Sequence, residues 1–190
     1  MAVEGEVFSG AILAGGASSR MGRDKAMIEI GDQRLIQVAV DALADAGAAE
    51  IFVVGGDAEA LSALGLRVVA DEFPGEGPLG GIITALDSAT APTVAVLACD
   101  HLSTEGPAVR SIVGALGTGD VVVPVVEGRQ QTLHAAWRRE ARHTLRARFV
   151  AGARSVRDGL AGLSVVQLLD ADPCWFRDAD VSADLPRSTQ

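Results

Sequence analysis

Two kinds of hydrophobic pattern alternate along this chain: short apolar runs that are nearly continuous, and longer stretches whose apolar residues recur three or four positions apart. The continuous runs predict strands buried on both faces, and the spaced stretches predict amphipathic helices. The predicted strands lie at 7–13, 51–54, 67–70, 93–98 and 120–126. The predicted helices lie at 35–46, 58–64, 80–88 and 107–116. Strands that alternate with helices imply right-handed crossovers and a mostly parallel sheet.

A different pattern follows the last of these strands. The turn 127–129 leads into a further strand-like segment at 131–137, so we expect this part to add an antiparallel pair to the sheet. The length of 190 residues suits one compact domain. We therefore expect a single α/β domain over 1–190, with a disordered tail at 186–190.

Composition and charge narrow the classes of partner. The chain is 48% hydrophobic with 22 glycines, which is typical of a globular α/β protein. Its net charge of -9 argues against a nucleic acid or a membrane surface as the main partner, because both attract a basic face. A small phosphorylated ligand needs only a local basic patch. The N-terminus lacks signal-peptide regions and no apolar run approaches about 20 residues, so we expect a cytoplasmic protein.

Positive charge is concentrated at one loop of this acidic chain, LAGGASSRMGRDK at 13–25. The loop carries three cations within six positions: Arg20, Arg23 and Lys25. Gly15 and Gly16 allow positive φ and let backbone N–H groups approach a ligand closely. Successive N–H groups form an anion-binding concavity, and the cations add charge-assisted hydrogen bonds. The loop therefore predicts a polyphosphate site; the alternative is a glycine-rich surface loop with solvated charges.

This loop is neither of the two best-known phosphate loops. A Walker A loop requires GxxxxGK[ST], but Lys25 follows Asp24 and precedes Ala26. The dinucleotide fingerprint GxGxxG is absent as well. Instead, LAGGASSRMGRDKA resembles the signature loop of the MobA-like nucleotidyltransferases, whose type member is molybdenum cofactor guanylyltransferase. The resemblance covers residues 11–185 and implies a Rossmann-like nucleotidyltransferase domain.

The resemblance also implies a reaction. The terminal phosphate of molybdopterin would attack the α-phosphorus of GTP and expel pyrophosphate, with Mg2+ bound beside the nucleotide. That phosphate is already anionic near neutral pH, so no side-chain base is required. Catalysis then reduces to alignment and charge neutralisation by Lys25, Arg20, the loop amides and magnesium. The implied partners are GTP, a molybdopterin-type phosphorylated acceptor and proteins of molybdoenzyme maturation.

Two carboxylates follow predicted strands, at the edge where parallel sheets bind ligands. One is Asp100, and a carboxylate after a buried strand costs free energy unless it is paired, capped or metal-bound. Magnesium takes one or two protein carboxylates, so we expect Asp100 to be a ligand; the alternative is that it caps a helix starting near Thr104. The segment FRDADVSADL resembles the family pattern FVNVNTPEDL, with Asp178 and Asp180 in place of asparagines. The resemblance implies Asp180 as a second ligand, and the alternative is a turn residue.

The other carboxylate is Asp71, which precedes the segment GEGPLGG at 75–81. Guanine presents an N1–H and an exocyclic amine on one edge, and a carboxylate can accept from both, whereas cytosine has no such donor pair. In the family the matching Asp contributes to guanine binding; the alternative for Asp71 is a solvated loop acid. We expect the following residues to bind the nucleotide: Leu13, Ala14, Gly15, Gly16, Lys25, Asp71, Gly77, Pro78, Leu79, Gly80 and Asp100.

The acceptor half departs from the family patterns. QTLHAAW at 131–137 resembles HPLxALW with Gln-Thr in place of His-Pro, and we expect His134 to be a packed residue rather than a catalyst. GARSVRDGL at 152–160 resembles a GERSLR-type stretch. Its polar residues would either receive the pterin phosphate or form a solvated helix start: Arg154, Ser155 and Arg157.

Three other functions stay open. Related cytidylyltransferases share the loop but tend to read LAAG where this chain reads LAGG, so CTP is the nearest rival to GTP. A different phosphorylated acceptor, such as a sugar phosphate, is the second. The altered Gln-Thr and Asp-Ala-Asp segments also fit a nucleotide-binding regulatory protein that has lost catalysis. Pyrophosphate release with GTP and magnesium would separate that protein from the enzymes.

Overall fold

The computed structural model describes residues 6–15, 25–30, 33–100, 102–169 and 171–176. Its strands are β1 (Phe8–Leu13), β2 (Glu29–Ile30), β3 (Gln33–Arg34), β4 (Glu50–Val54), β5 (Arg67–Val69), β6 (Thr93–Ala98), β7 (Val121–Val126), β8 (Arg129–Gln130), β9 (His134–Arg138) and β10 (Val165–Leu168). Its helices are α1 (Leu35–Asp45), α2 (Ala58–Ala63), α3 (Pro78–Ser88), α4 (Gly106–Gly114), α5 (Ala141–Val150) and α6 (Val156–Gly159). Two short 3-10 helices lie at Lys25–Met27 and Pro173–Phe176.

Most strands join a mixed sheet in the order β10-β7-β9-β6-β1-β4-β5. β1 is central and pairs in parallel with β4 and β6. Further parallel pairs join β4 to β5 and β7 to β10, whereas β9 runs antiparallel to both β6 and β7. The predicted architecture, a mostly parallel sheet with an antiparallel addition, is confirmed.

The strand predicted at 131–137 is shorter than expected. β8 and β9 both pair with β7, but in two registers that do not join. Residues 131–133 lie between these registers and bulge from the ladder. The strand therefore begins at His134 and not at Gln131.

Helices cover both faces of the sheet. Along β1 the side chain of Ile12 packs on the side of α1 and α4, whereas Ala11 and Leu13 pack on the side of α3 and α5. Gly10 allows α1 to lie close to β1, because a Cβ there would come within 2.8 Å of Leu43 Cδ1. The sheet thus separates two apolar cores, and its carboxyl edge is left for ligands.

Several observed elements are missing from the predicted set. The hydrophobic pattern predicts neither α5, which is rich in arginine, nor β10, which is a short strand at the end of the sheet. It also omits the short elements β2, β3, β8 and α6. Within the described ranges, no helix is both long and apolar enough to cross a membrane.

Candidate active site

Three strand ends meet where the sequence predicts a nucleotide site. The loop after β1 begins with Ala14, whose N–H donates to Val54 O at the end of β4. A Cβ on Gly55 would lie 3.3 Å from Gly15 Cα and 3.9 Å from Asp71 Cβ. Gly55 has a φ of +73°, so both its backbone angle and its neighbours favour glycine. The start of the glycine loop and the predicted base-binding carboxylate therefore share one corner of the sheet.

Asp71 is held in a defined orientation. Its Oδ1 accepts the peptide N–H of Phe73 at 2.9 Å and lies 3.2 Å from the hydroxyl oxygen of Thr84. Thr84 is buried in α3 and also accepts the N–H of Glu72 at 3.1 Å. The other oxygen, Oδ2, lies on the Gly15 side, 3.9 Å from where a Cβ of that glycine would stand. Asp71 is a half-buried, anchored carboxylate rather than a freely solvated loop acid.

The GPLGG segment forms the first turn of α3, which begins two residues earlier than predicted. Gly77 stands at the N-cap with a φ of +93°, where a Cβ would meet Arg154 O at 3.0 Å. Pro78 is exposed at the first helical position. The side chain of Leu79 is fully buried, and a Cβ on Gly80 would lie 2.7 Å from Phe73 Cβ. Of the predicted residues here, Gly77 and Pro78 face solvent, whereas Leu79 and Gly80 pack inward.

The predicted catalytic lysine and the predicted metal ligand lie together. Lys25 Nζ is 3.6 Å from Asp100 Oδ2, and the two side chains are 34% and 30% exposed. Asp100 stands close to the glycine loop because β6 pairs with β1 and the N–H of Cys99 donates to Leu13 O. α4 begins only at Gly106, with Glu105 at its N-cap, so Asp100 is not the helix cap that the alternative required.

Several predicted residues lie outside the described ranges: Gly16, Arg20, Arg23, Asp178 and Asp180. Within those ranges, no group of three or more His, Cys, Asp or Glu residues could hold a metal ion. Magnesium needs only one or two protein carboxylates and completes its shell with water and phosphate oxygens. A partly exposed carboxylate such as Asp100, beside a loop suited to phosphate, fits that donor set.

His134 is a packed residue, as the sequence predicts. It is 1% exposed, and its Nε2 lies 2.7 Å from the hydroxyl oxygen of Thr104. Its ring also meets Phe176 edge-on, with centroids 5.6 Å apart. Nearby, Ser103 Oγ donates to Cys174 O at 2.5 Å. The segment 173–176 therefore packs on the loop that follows Asp100.

The segment with the GERSLR-type pattern contacts the loop that leads from Asp71 into α3. Arg154 Nε lies 2.7 Å from Glu76 Oε2, and its Nη1 donates to Phe149 O at 2.8 Å. Ser155 is the N-cap of α6 and accepts the N–H of Asp158 at 3.1 Å. For Ser155 the helix-start interpretation therefore has a direct structural basis.

Comparison of this sequence with known protein families and proteins finds clear relatives. Residues 10–167 match the MobA-like NTP transferase domain. A protein of Chloroflexus aggregans named probable molybdenum cofactor guanylyltransferase is 37% identical over 167 residues, which cover 83% of this chain and 78% of that relative.

Solved structures share the fold. Molybdopterin-guanine dinucleotide biosynthesis protein A from Archaeoglobus fulgidus matches with a TM-score of 0.76 at 22% identity, over 93% of this chain and 94% of that one. 2-C-methyl-D-erythritol 4-phosphate cytidylyltransferase from Thermus thermophilus matches with a TM-score of 0.72 at 16% identity, over 92% and 94%. The fold is thus common to proteins whose names refer to different bases, and base choice has to be argued from side chains. Since the sequence match spans most of its length, this chain belongs to the family of MobA-like NTP transferase domains.

Proposed function

We propose that this chain is a molybdenum cofactor guanylyltransferase, which transfers GMP from GTP to the terminal phosphate of a molybdopterin-type acceptor and releases pyrophosphate. The observation that carries the proposal is the Lys25–Asp100 pair, 3.6 Å apart at the edge of the sheet that also holds Gly15 and Asp71. The name of the Chloroflexus aggregans relative supports the same activity. The chain would act as one domain in the cytoplasm, where GTP is available, alongside proteins of molybdoenzyme maturation.

The proposed reaction requires aligned substrates and needs no side chain as a general base. An acceptor phosphate is anionic near neutral pH, so it can attack the α-phosphorus once it is aligned. Lys25 and Arg20 would stabilise the negative charge that leaves on pyrophosphate, and the amides of Gly15 and Gly16 would hold phosphate oxygens. Magnesium, held by Asp100 and Asp180, would supply further charge neutralisation when bound.

Base choice is assigned to Asp71. The carboxylate is oriented through Oδ1 by Phe73 and Thr84, and Oδ2 lies on the side of the glycine loop. In this position it would accept from the N1–H and the exocyclic amine of guanine. Adenine and cytosine offer no such pair, so either base would leave the carboxylate poorly satisfied.

The test is nucleotide binding and turnover. Calorimetry with magnesium present should show GTP binding about ten- to 100-fold more tightly than ATP or CTP, because a carboxylate that a base covers without hydrogen-bonding to it costs about 1 to 3 kcal/mol. Pyrophosphate release should require GTP and a molybdopterin-type acceptor. Tighter binding of CTP would favour a cytidylyltransferase, turnover with a sugar phosphate would change the acceptor, and a lack of turnover with every acceptor would favour a regulatory nucleotide-binding protein.

A pair of matched variants tests Asp71 itself. Asp71→Asn should reduce the preference for GTP, since the amide adds donors that face those of guanine. Asp172→Asn is the control, because Asp172 Oδ1 accepts the N–H of Cys174 at 2.9 Å in the same local turn that Asp71 makes with Phe73. Unchanged selectivity in Asp71→Asn would remove Asp71 from the base site and leave the enzyme class standing.

A further inference from the structure

The base loop, residues 71–77 between β5 and α3, is in contact with α5. No residue of α5 has a role in the proposed mechanism. Arg146 of α5 joins the loop to α3: its Nη2 lies 2.9 Å from Glu72 Oε2 and 2.5 Å from Asp87 Oδ2. The guanidinium also stacks on Phe73, with Cζ 5.4 Å from the ring centroid. Hydrogen bonds with Asp87 and Glu72 raise the pKa of Arg146 above its ordinary value, so the charge is permanent.

Phe73 is the residue through which α5 reaches the carboxylate of Asp71. Its ring packs on Phe149 of α5, with centroids 4.5 Å apart. A Cβ on Gly80 would lie 2.7 Å from Phe73 Cβ, so α3 confines the same residue from another side. The peptide N–H of Phe73 donates to Asp71 Oδ1. A displacement of Phe73 would therefore turn the Asp71 carboxylate.

We infer that Arg146 is a positioning residue for nucleotide selectivity, because it holds Glu72 and Phe73 where Asp71 can face the base. The inference rests on the proposed function, in which Asp71 accepts hydrogen bonds from guanine. A planar guanidinium presents five donors in a rigid fork, so it can bind two carboxylates while its face lies over a ring, and an ammonium group reproduces this arrangement only in part. Arg146 acts on base choice through the loop and has no part in the transfer of the guanylyl group.

Arg142 provides a matched control one turn earlier on α5. Its Nε lies 3.4 Å from Asp87 Oδ1, and its Nη1 lies 2.9 Å from Glu140 Oε1. Both arginines therefore share Asp87. Of these two arginines, only Arg146 forms an ion pair with the base loop among the described residues, through Glu72.

The experiment compares Arg146→Gln with Arg142→Gln in the full chain. Three quantities are measured: the dissociation constants of GTP and ATP with magnesium, kcat and KM for GTP, and amide hydrogen exchange at Glu72 and Phe73. Arg146→Gln is expected to reduce the GTP-over-ATP preference about fivefold and raise KM for GTP by a similar factor, while kcat stays within about twofold. Exchange at the two amides should accelerate, and Arg146→Lys should recover part of the preference. Arg142→Gln should leave all of these values close to those of the wild type.

Two results would overturn the inference: an unchanged preference in Arg146→Gln, or equal losses in the two variants, which would leave Arg146 as one structural ion pair among several. A wild type that does not prefer GTP would refute the proposed base choice separately. The role of Arg146 is then tested with the nucleotide that binds most tightly. Arg146→Gln must weaken the binding of that nucleotide about fivefold, and Arg142→Gln must leave it unchanged.

Discussion

Lys25 and Asp100 hold opposite charges 3.6 Å apart, with about a third of each side chain exposed (34% and 30%). An exposed pair of this kind adds at most about 1 kcal/mol to the stability of a fold. It can therefore open at little cost. In the proposed function, a triphosphate would offer oxygens to Lys25 and its metal ion would offer a charge to Asp100.

Lys25→Ala should abolish turnover while the protein stays folded. Removing one preorganised donor from a developing charge costs on the order of 100- to 1000-fold in rate. Pyrophosphate release and the thermal unfolding midpoint are measured together. Arg110→Ala is the control, since Arg110 forms an exposed pair with Asp45 between α1 and α4. Near-wild-type turnover in folded Lys25→Ala would rule out the catalytic role.

Asp100→Asn should raise the magnesium concentration needed for half-maximal activity by about tenfold, because the amide is a neutral and weaker ligand. GTP binding should weaken only when magnesium is present, since nucleotide and ion bind as one unit. Titrations of activity and of GTP affinity against magnesium check both statements. If wild type and Asp100→Asn showed the same magnesium dependence, Asp100 would not be a ligand.

At the scale of elements, variants of Ser155 test whether this N-cap residue stabilises α6 or binds the phosphate of the acceptor. Ser155 accepts the N–H of Asp158 as a helix cap. Ser155→Ala should therefore lower the free energy of unfolding by about 1 kcal/mol, and Ser155→Thr should restore most of it. Chemical unfolding and KM for the acceptor are measured for both variants. A raised KM with unchanged stability would instead assign Ser155 to the acceptor phosphate.

Hydrophobic patterning predicts strands that are buried along their whole length, such as β1 and β6, and amphipathic helices such as α1. α5 differs, because its large buried residues are Leu145 and Phe149, and arginines take up much of the rest of it. Their partners, such as Asp87 for Arg146, lie far away in the sequence. No local pattern encodes those ion pairs, so the contacts that hold this helix in place cannot be predicted from its own residues.

At the site, the strand-end carboxylates could be predicted, but the groups that orient them could not. The rule that ligands bind beyond strand ends brings Asp71 and Asp100 to the same edge. Thr84 offered one signal, as a polar residue in a helix whose neighbouring positions are buried and apolar. The contact of Phe73 with Phe149 leaves no signal in the sequence, since only the complete fold brings the two rings together.

At the scale of the whole molecule, the amino edge of the sheet carries a stabilising cluster around Glu50. Its Oε1 accepts from Ser9 Oγ at 2.7 Å and from Thr90 N–H at 2.7 Å, while Oε2 lies 2.8 Å from Arg67 Nη1. Desolvation by burial raises the pKa of Glu50, but hydrogen bonds from Thr90 and Ser9 and the charge of Arg67 outweigh it and hold the pKa below its ordinary value of 4.5. The cluster joins β1, β4 and β5 at the edge opposite the site.

The lowered pKa of Glu50 determines how the free energy of unfolding changes with pH. The stabilisation from Glu50 is fully present above its unfolded-state pKa near 4.5 and is lost as the pH falls through the lower folded-state value. Glu50→Gln should lower the free energy of unfolding by about 1 kcal/mol at about pH 7 and should flatten its decline toward about pH 3. Urea unfolding across that range measures both effects, with Glu127→Gln, in the exposed turn between β7 and β8, as control. The same acid dependence in Glu50→Gln and in the wild type would contradict this assignment.

The pairing of β1 with β6 also governs when the site can form during synthesis. β1 and the glycine loop leave the ribosome early, and Asp71 follows, but Asp100 comes only after β6, whose residue Ala98 pairs with Leu13. Closing that long loop carries an entropic cost that only the assembled central strands repay. A nascent chain that ends before β6 thus carries half of the proposed nucleotide site. GTP would therefore bind after the sheet has closed, and its binding energy would stabilise only molecules that have completed their fold.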